Sequence, residues 1–403
     1  MTAPQPARRW NALILLSITL ILGMSTWFSA SAVIPQLELV WSLTATSKAW
    51  LTIAVQLGFV AGALVSASLN IADLIAPRFV IAAGGIGAGA ANLGLVVADV
   101  ASTGIALRFL TGFCMAGVYP PAFKLISTWF RENRGTALGA LAGAIILGNS
   151  LPHLVNGLGG VDWRNVIYVT TALSMLGGLT RPCGGRRSIP FPRAAFDPRQ
   201  VGMVFANRGV RLASIGYFGH MWELFAMYAW FSVFMTEHLS TVGLEVLPAA
   251  ALTTFVVIAM GSPGSYIAGL LSDRWGRTRT TTLMLVTSGT CSIVIGFLFG
   301  GPTWLLVTIG LVWGFTVVAD SAQFSAMVTE VADQSYVGTA LTMQVAIGFT
   351  ITVATIWLIP IIRGTVGWRW AFSVLALGPV VGISAMTRLR RSPEASLIAG
   401  GLG

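Results

Sequence analysis

The sequence predicts an all-α membrane protein with twelve transmembrane helices in two pseudo-symmetric six-helix bundles. Three observations predict it. First, 55% of the 403 residues are hydrophobic and only 9% are charged. An average soluble domain carries about 25% charged residues, so lipid is the natural solvent for most of this exterior. Second, apolar stretches of roughly 17–25 residues, the length that crosses a bilayer, follow one another along the chain. Third, the chain repeats itself after about 200 residues. Gly135-Thr136-Ala137-Leu138 matches Gly338-Thr339-Ala340-Leu341, and Asp162-Trp163-Arg164 matches Gly367-Trp368-Arg369. Leu69-Asn70-Ile71-Ala72-Asp73 matches Gly269-Leu270-Leu271-Ser272-Asp273. Membrane proteins built from two such halves commonly rock around a site at their interface.

The elements follow in order. The first span is 11–33. Its Arg8-Arg9, apolar run and small residues Ser29 to Ala32 have the look of a secretory signal. The apolar run is long, however, and the seventh span needs a repeat partner, so a retained helix is expected. Spans 48–69, 78–97, 103–125, 135–157 and 163–180 complete an N-terminal bundle over 1–180. Residues 181–208, rich in Arg, Pro and Gly, read as a basic cytoplasmic linker. Spans 210–237, 246–270, 281–299, 304–326, 339–361 and 368–387 make 209–403 a C-terminal bundle with a short tail. The fifth span carries Gly139, Gly143 and Gly148 ahead of Pro152, a small-residue face that permits close helix packing.

Charge sets the orientation. The net charge of +10 would suggest nucleic acid in a soluble protein. Here the basic residues sit in short loops. With the N-terminus inside, 19 Lys/Arg fall on the cytoplasmic side and five (Lys48, Arg108, Arg164, Arg363, Arg369) on the other. Both termini are therefore expected in the cytoplasm, and no nucleic-acid partner is expected. Cys114, Cys183 and Cys291 form no CxxC pair, and His153, His220 and His238 are scattered, so neither a zinc site nor a disulfide framework is implied. No G-x-x-x-x-G-K-[ST] pattern supports ATP coupling.

Gly269-Leu270-Leu271-Ser272-Asp273-Arg274-Trp275-Gly276-Arg277 resembles the loop motif G-x-L-x-D-R-x-G-R of the major facilitator superfamily. The resemblance covers nearly the whole chain. It implies the major facilitator fold, with Gly269, Asp273, Arg274, Gly276 and Arg277 forming a conformational loop whose Asp can meet a helix N-terminus. The N-terminal copy keeps Asp73 but has Pro77-Arg78 where the family has Gly-Arg. Arg108 to Gly112 resembles the family's R-x-x-x-G motif. Trp163-Arg164 and Trp368-Arg369 resemble its W-R pairs, and they read as interfacial anchors. More loosely, Trp27-Phe28-Ser29, Gly219 to Leu224 and Ala319 to Ser325 resemble the bacterial cyanate/nitrate branch of small-anion permeases. The resemblance further implies that the first, fourth, seventh and tenth helices line a cavity.

Ionisable residues inside spans are costly and usually functional. Glu223 and His220 lie three residues apart on the seventh span, nearly on one face. With Asp320 of the tenth span they are candidate proton carriers. The structural alternative for Glu223 is a bond to a backbone or Trp donor; for Asp320, a gate or a helix–helix bond. Arg108 is a candidate clamp for an anionic solute; the alternatives are neutralisation by Glu223 or Asp320, or snorkelling. Trp27, Ser29, Gln56, Trp222, Tyr228 and Gln323 are candidate solute contacts. Glu330 is expected to pair with the Arg-rich loops.

The expectation is a secondary active transporter of the bacterial inner membrane, not an enzyme. It would need no cofactor, work as a monomer, and take a small solute and protons as partners. The solute is expected to be anionic, with efflux of hydrophobic or cationic compounds as the alternative. A receptor or assembly factor that kept the fold but lost transport is a third reading.

Overall fold

A computed structural model describes residues 6–69, 71–130, 134–158, 162–180, 201–244, 247–333 and 336–403. Ten helical segments among them are long and apolar enough to cross a membrane. Trp163–Leu179, only 17 residues long, and Arg208–Thr241, which carries His220 and Glu223, complete the twelve as sixth and seventh spans. The linker expected at 181–208 falls largely outside the described residues; Val201–Ala206 is a short helix leading into the seventh span. The end of the molecule that carries the Asp273 loop is termed the inner end below.

Several spans are not continuous helices, and the chain shows why. The first runs over Pro6–Gly23, breaks through two short 3-10 turns, and resumes at Ile34–Trp41 with a proline in its first turn. The fourth breaks between Ala101–Met115 and Tyr119–Ser127. Pro120 and Pro121 cannot donate to the preceding turn, and proline suits a helix start. The eighth breaks at Met260 ahead of Gly261 and Pro263. The tenth breaks between Thr303–Val317 and Ser321–Val331, leaving Asp320 just before the second piece.

Backbone contact inside each bundle repeats across the two halves. A Cβ on Gly58 or Gly112 would run into the carbonyls of Phe109 and Val55, so the second and fourth spans meet with nothing between them. Gly264 and Gly314 do the same for the eighth and tenth spans, against the Phe315 and Val257 carbonyls. Small residues give this closeness where apolar driving force between helices is absent.

Among the described residues, two long seams join the bundles. The glycine face of the fifth span packs along the eighth: a Cβ on Gly139 would lie 2.6 Å from the Ser265 carbonyl oxygen, and one on Gly143 2.9 Å from that of Ser262. The second span packs along the eleventh, with the Phe59 and Phe349 rings 4.7 Å apart.

The two W-R tryptophans correct an expectation. They are not lipid-facing anchors. Trp163 and Trp368 are each 4% exposed. Trp163 packs on Trp41; Trp368 packs on Phe234 and Phe372 and donates its indole N–H to Glu237 at 2.7 Å. Flat rings at a helix start fill the bundle's end better than they cover its lipid face. Arg164 and Arg369 do stack over neighbouring rings, Trp163 and Phe297 respectively.

Candidate solute cavity and the buried ionisable cluster

A cavity lies between the bundles, lined by the first, fourth, fifth, seventh, tenth and eleventh spans. Among the described residues its wall carries seven aromatic side chains: Trp27, Tyr119, Phe123, Tyr217, Phe225, Tyr228 and Phe349. Met24, Met221, Leu224 and Ile146 add apolar surface. Among the described residues no Asp, Glu, Lys, Arg or His is in the wall. Three polar atoms of lining residues have no protein partner: Trp27 Nε1, Tyr228 Oη and Asn149 Oδ1. The cavity volume is ≈ 90 Å³, far below the roughly 300–1,000 Å³ of a typical small-molecule site. The bundles must part before a solute of that size enters.

Aromatic contacts run between the bundles around the cavity. Trp27 packs on Phe225 and Phe349, and Phe28 on Phe225 and Tyr228. The Asp273 loop joins the two bundles at the inner end. Thr136, in the first turn of the fifth span, donates its hydroxyl to Asp273 Oδ2 at 3.2 Å. The carboxylate sits against Gly135, where any Cβ would strike it. A negative group at a helix N-terminus is favourably placed. Gly269 packs on the Gly135 backbone, and Gly276 turns the loop at φ +91°, a conformation that favours glycine. Arg274 is exposed. Arg277 forks onto Glu330, 2.7 Å at its shortest, within the C-terminal bundle, and donates to Gln323 Oε1 at 2.6 Å. Gln323 thus holds an arginine rather than facing the cavity. The backbone at Asp73 is helical; its side chain lies outside the described residues.

Arg108 is fully buried, yet it does not reach the cavity wall. Its guanidinium donates to the Thr26 carbonyl at 2.8 Å, to the Trp27 carbonyl, and to Ser29 Oγ at 3.1 Å. Both carbonyls lie in the break of the first span, where the Thr26 carbonyl also accepts from the Ser29 N–H at 3.4 Å and the Ser29 hydroxyl at 3.0 Å. Ser29 Oγ in turn lies 2.5 Å from Asn92 Oδ1. Arg108 and Ser29 therefore serve one polar network that fixes the kink. Gln56 is buried with neither amide atom partnered. Trp222 donates to the Val374 carbonyl at 3.1 Å, inside the C-terminal bundle. Of the predicted contacts, Trp27 and Tyr228 line the cavity.

The acidic candidates gather behind the cavity. His220 Nδ1 lies 2.8 Å from Asp320 Oδ1, close but without hydrogen-bond alignment, and both side chains are at most 2% exposed. Glu223 accepts from Trp313 Nε1 at 2.7 Å and from Ser288 Oγ at 2.9 Å. Tyr217, Met221, Leu224, Phe225 and Tyr228 of the seventh span face the cavity, while His220 and Glu223 lie on the adjoining face, turned toward the ninth and tenth spans. Asp320 stands next to Ser321, a wall residue.

The sequence reading passed over Asn149, Tyr217, Phe225 and Phe349. Asn149 had a signal: an amide inside an apolar span, between Gly148 and Pro152. The aromatics had none, because nothing in their spacing marks which face of a span meets the other bundle.

Comparison with known proteins agrees with the architecture. A family model described as Major Facilitator Superfamily matches residues 15–339. The puromycin resistance protein pur8 of Streptomyces alboniger is 29% identical over 177 residues, 43% of this chain and 35% of that protein. The chain thus spans about a third of that relative's length. An MFS-type transporter of Gibberella moniliformis is 25% identical over 313 residues, 74% of this chain and 70% of its own. Among solved structures, a bacterial homologue of the human lysosomal transporter Spinster superposes with a TM-score of 0.71, covering 96% of this chain and 98% of that one at 15% identity. At that identity the likeness shows the fold alone.

Proposed function

Since this chain belongs to the major facilitator superfamily, we propose that it exports a hydrophobic, aromatic solute by rocking its two bundles about the cavity between them. The observation that carries this reading is the wall: among the described residues, seven aromatic rings and no charged side chain. Aromatic stacking and apolar burial favour such a solute, each ring–ring contact contributing about 0.5–1.5 kcal/mol beyond area burial. A small anion finds no cation in that wall, because Arg108 is engaged by the kinked first span. The relative named for puromycin resistance supports export as the direction.

The same proposal assigns proton coupling to the buried ionisable cluster. His220 and Asp320 form a pair that one added proton converts between charge states, and Asp320 lies at the break of the tenth span beside a wall residue. A change of charge there alters the packing of the seventh and tenth spans, both of which line the cavity. The charge bias of the loops supports cytoplasmic termini, and the proposed setting is a bacterial inner membrane.

The test is proton flux in proteoliposomes, challenged with hydrophobic aromatic compounds and, separately, with nitrate and cyanate. Aromatic compounds should move protons in the wild type and not in Asp320→Asn. Proton movement with nitrate or cyanate, and none with the aromatic compounds, would overturn the reading.

A further inference from the structure

The fifth span carries a buried histidine that neither the fold nor the cluster above explains. His153 is fully buried, and neither ring nitrogen has a protein partner. A buried polar group is costly to leave unsatisfied, and no protein group meets the His153 ring.

Helix geometry places the ring relative to the cavity. Leu138, Ala142, Ile145, Ile146 and Asn149 are the fifth span's contribution to the cavity wall. His153 follows Asn149 by four residues and so lies one turn further out on the same face. Asn149 Oδ1 is itself unpartnered. One turn beyond, Asn156 closes the stripe: it donates to the Ala32 carbonyl at 2.7 Å and accepts from Gln36 Nε2 at 2.9 Å. Gln36 Oε1 is left unpartnered as well. Asn149 in the wall, His153 one turn beyond it and Gln36 in the plug thus carry buried polar atoms without protein partners; His153 and Gln36 lie behind the wall rather than in it.

We propose that His153, with Asn149, forms a polar subsite at the outer end of the cavity that binds a hydroxyl group on the aromatic solute. This rests on the aromatic-solute reading of the cavity. A neutral imidazole offers one donor and one acceptor, and a hydroxyl offers the complement of both. The subsite selects among aromatic solutes by one polar substituent; it does not recognise charge.

The test uses two probes that differ only in that group, 2-naphthol and 2-methoxynaphthalene, binding to the purified full-length protein. The wild type should favour 2-naphthol by about tenfold, roughly the value of one good buried hydrogen bond. The preference should fall toward unity in His153→Leu and Asn149→Leu and persist in His153→Gln. Affinity for 2-methoxynaphthalene should change little in any of the three. Equal wild-type affinity for the two probes, or an undiminished preference in His153→Leu, overturns the subsite and leaves the aromatic cavity standing. If neither probe binds, the aromatic reading itself fails, and the subsite with it.

Discussion

The contact between Asp273 and the fifth span makes a quantitative prediction. Asp273→Asn keeps an oxygen for the Thr136 hydroxyl and removes the charge from the helix N-terminus. A charge–dipole contact is worth about 0.3–1 kcal/mol when exposed, and Asp273 is exposed. Thr136→Val removes the 3.2 Å bond instead, worth about 1 kcal/mol. Each change should therefore shift the balance between closed and open inner ends by up to about fivefold. The double variant should shift it by less than the product, because both changes remove parts of one contact. Spin labels at exposed Arg78 and Arg388, on the inner ends of the two bundles, would report the distance distribution. The closed population should fall in both variants, and rising salt should shrink the Asp273→Asn effect, since the charge faces water. An unchanged distribution, or strictly additive shifts in the double variant, would refute the latch.

Two further outcomes are expected. Arg108→Leu strips donors from the Thr26 and Trp27 carbonyls, so the protein in detergent should lose about 2–6 kcal/mol, seen as a lower unfolding temperature, with Arg108→Lys recovering only part because a Lys lacks the fork. Full stability in Arg108→Leu together with lost solute binding would make Arg108 a solute ligand after all. Gly112→Ala drives a methyl into the Val55 carbonyl and should cost about 1–3 kcal/mol, whereas Gly364→Ala, where a Cβ meets nothing within 4 Å, should be neutral in the same melt.

Much of the fold was legible because its causes are local. Span length follows from bilayer thickness, and the two halves follow from repeated loop motifs. The glycine face of the fifth span and the Asp273 loop could be named from sequence, since glycine spacing and a charged turn are visible there. The partners of the charged residues were not. Arg108 binds carbonyls in the break of the first span, and a carbonyl leaves no mark in a sequence. Glu223 met the Trp donor that stood as its structural alternative, on a helix 90 residues away. His220 pairs with Asp320, at a break that neither proline nor glycine announces. The aromatic wall was hidden for a different reason. Phe225 and Trp222 are indistinguishable by composition, and only the rotation of the seventh span sends one into the cavity and the other into the bundle.

That rotation bears on how such a protein can change over generations. Single exchanges at Met221, Leu224, Phe225 or Tyr228 reshape the surface a solute meets, yet His220 and Glu223 keep their neighbours on the adjoining face. The range of compounds accepted can drift while the ionisable cluster stays intact. Diversification then needs no coordinated substitutions, only tolerance of new shapes along one stripe of one helix.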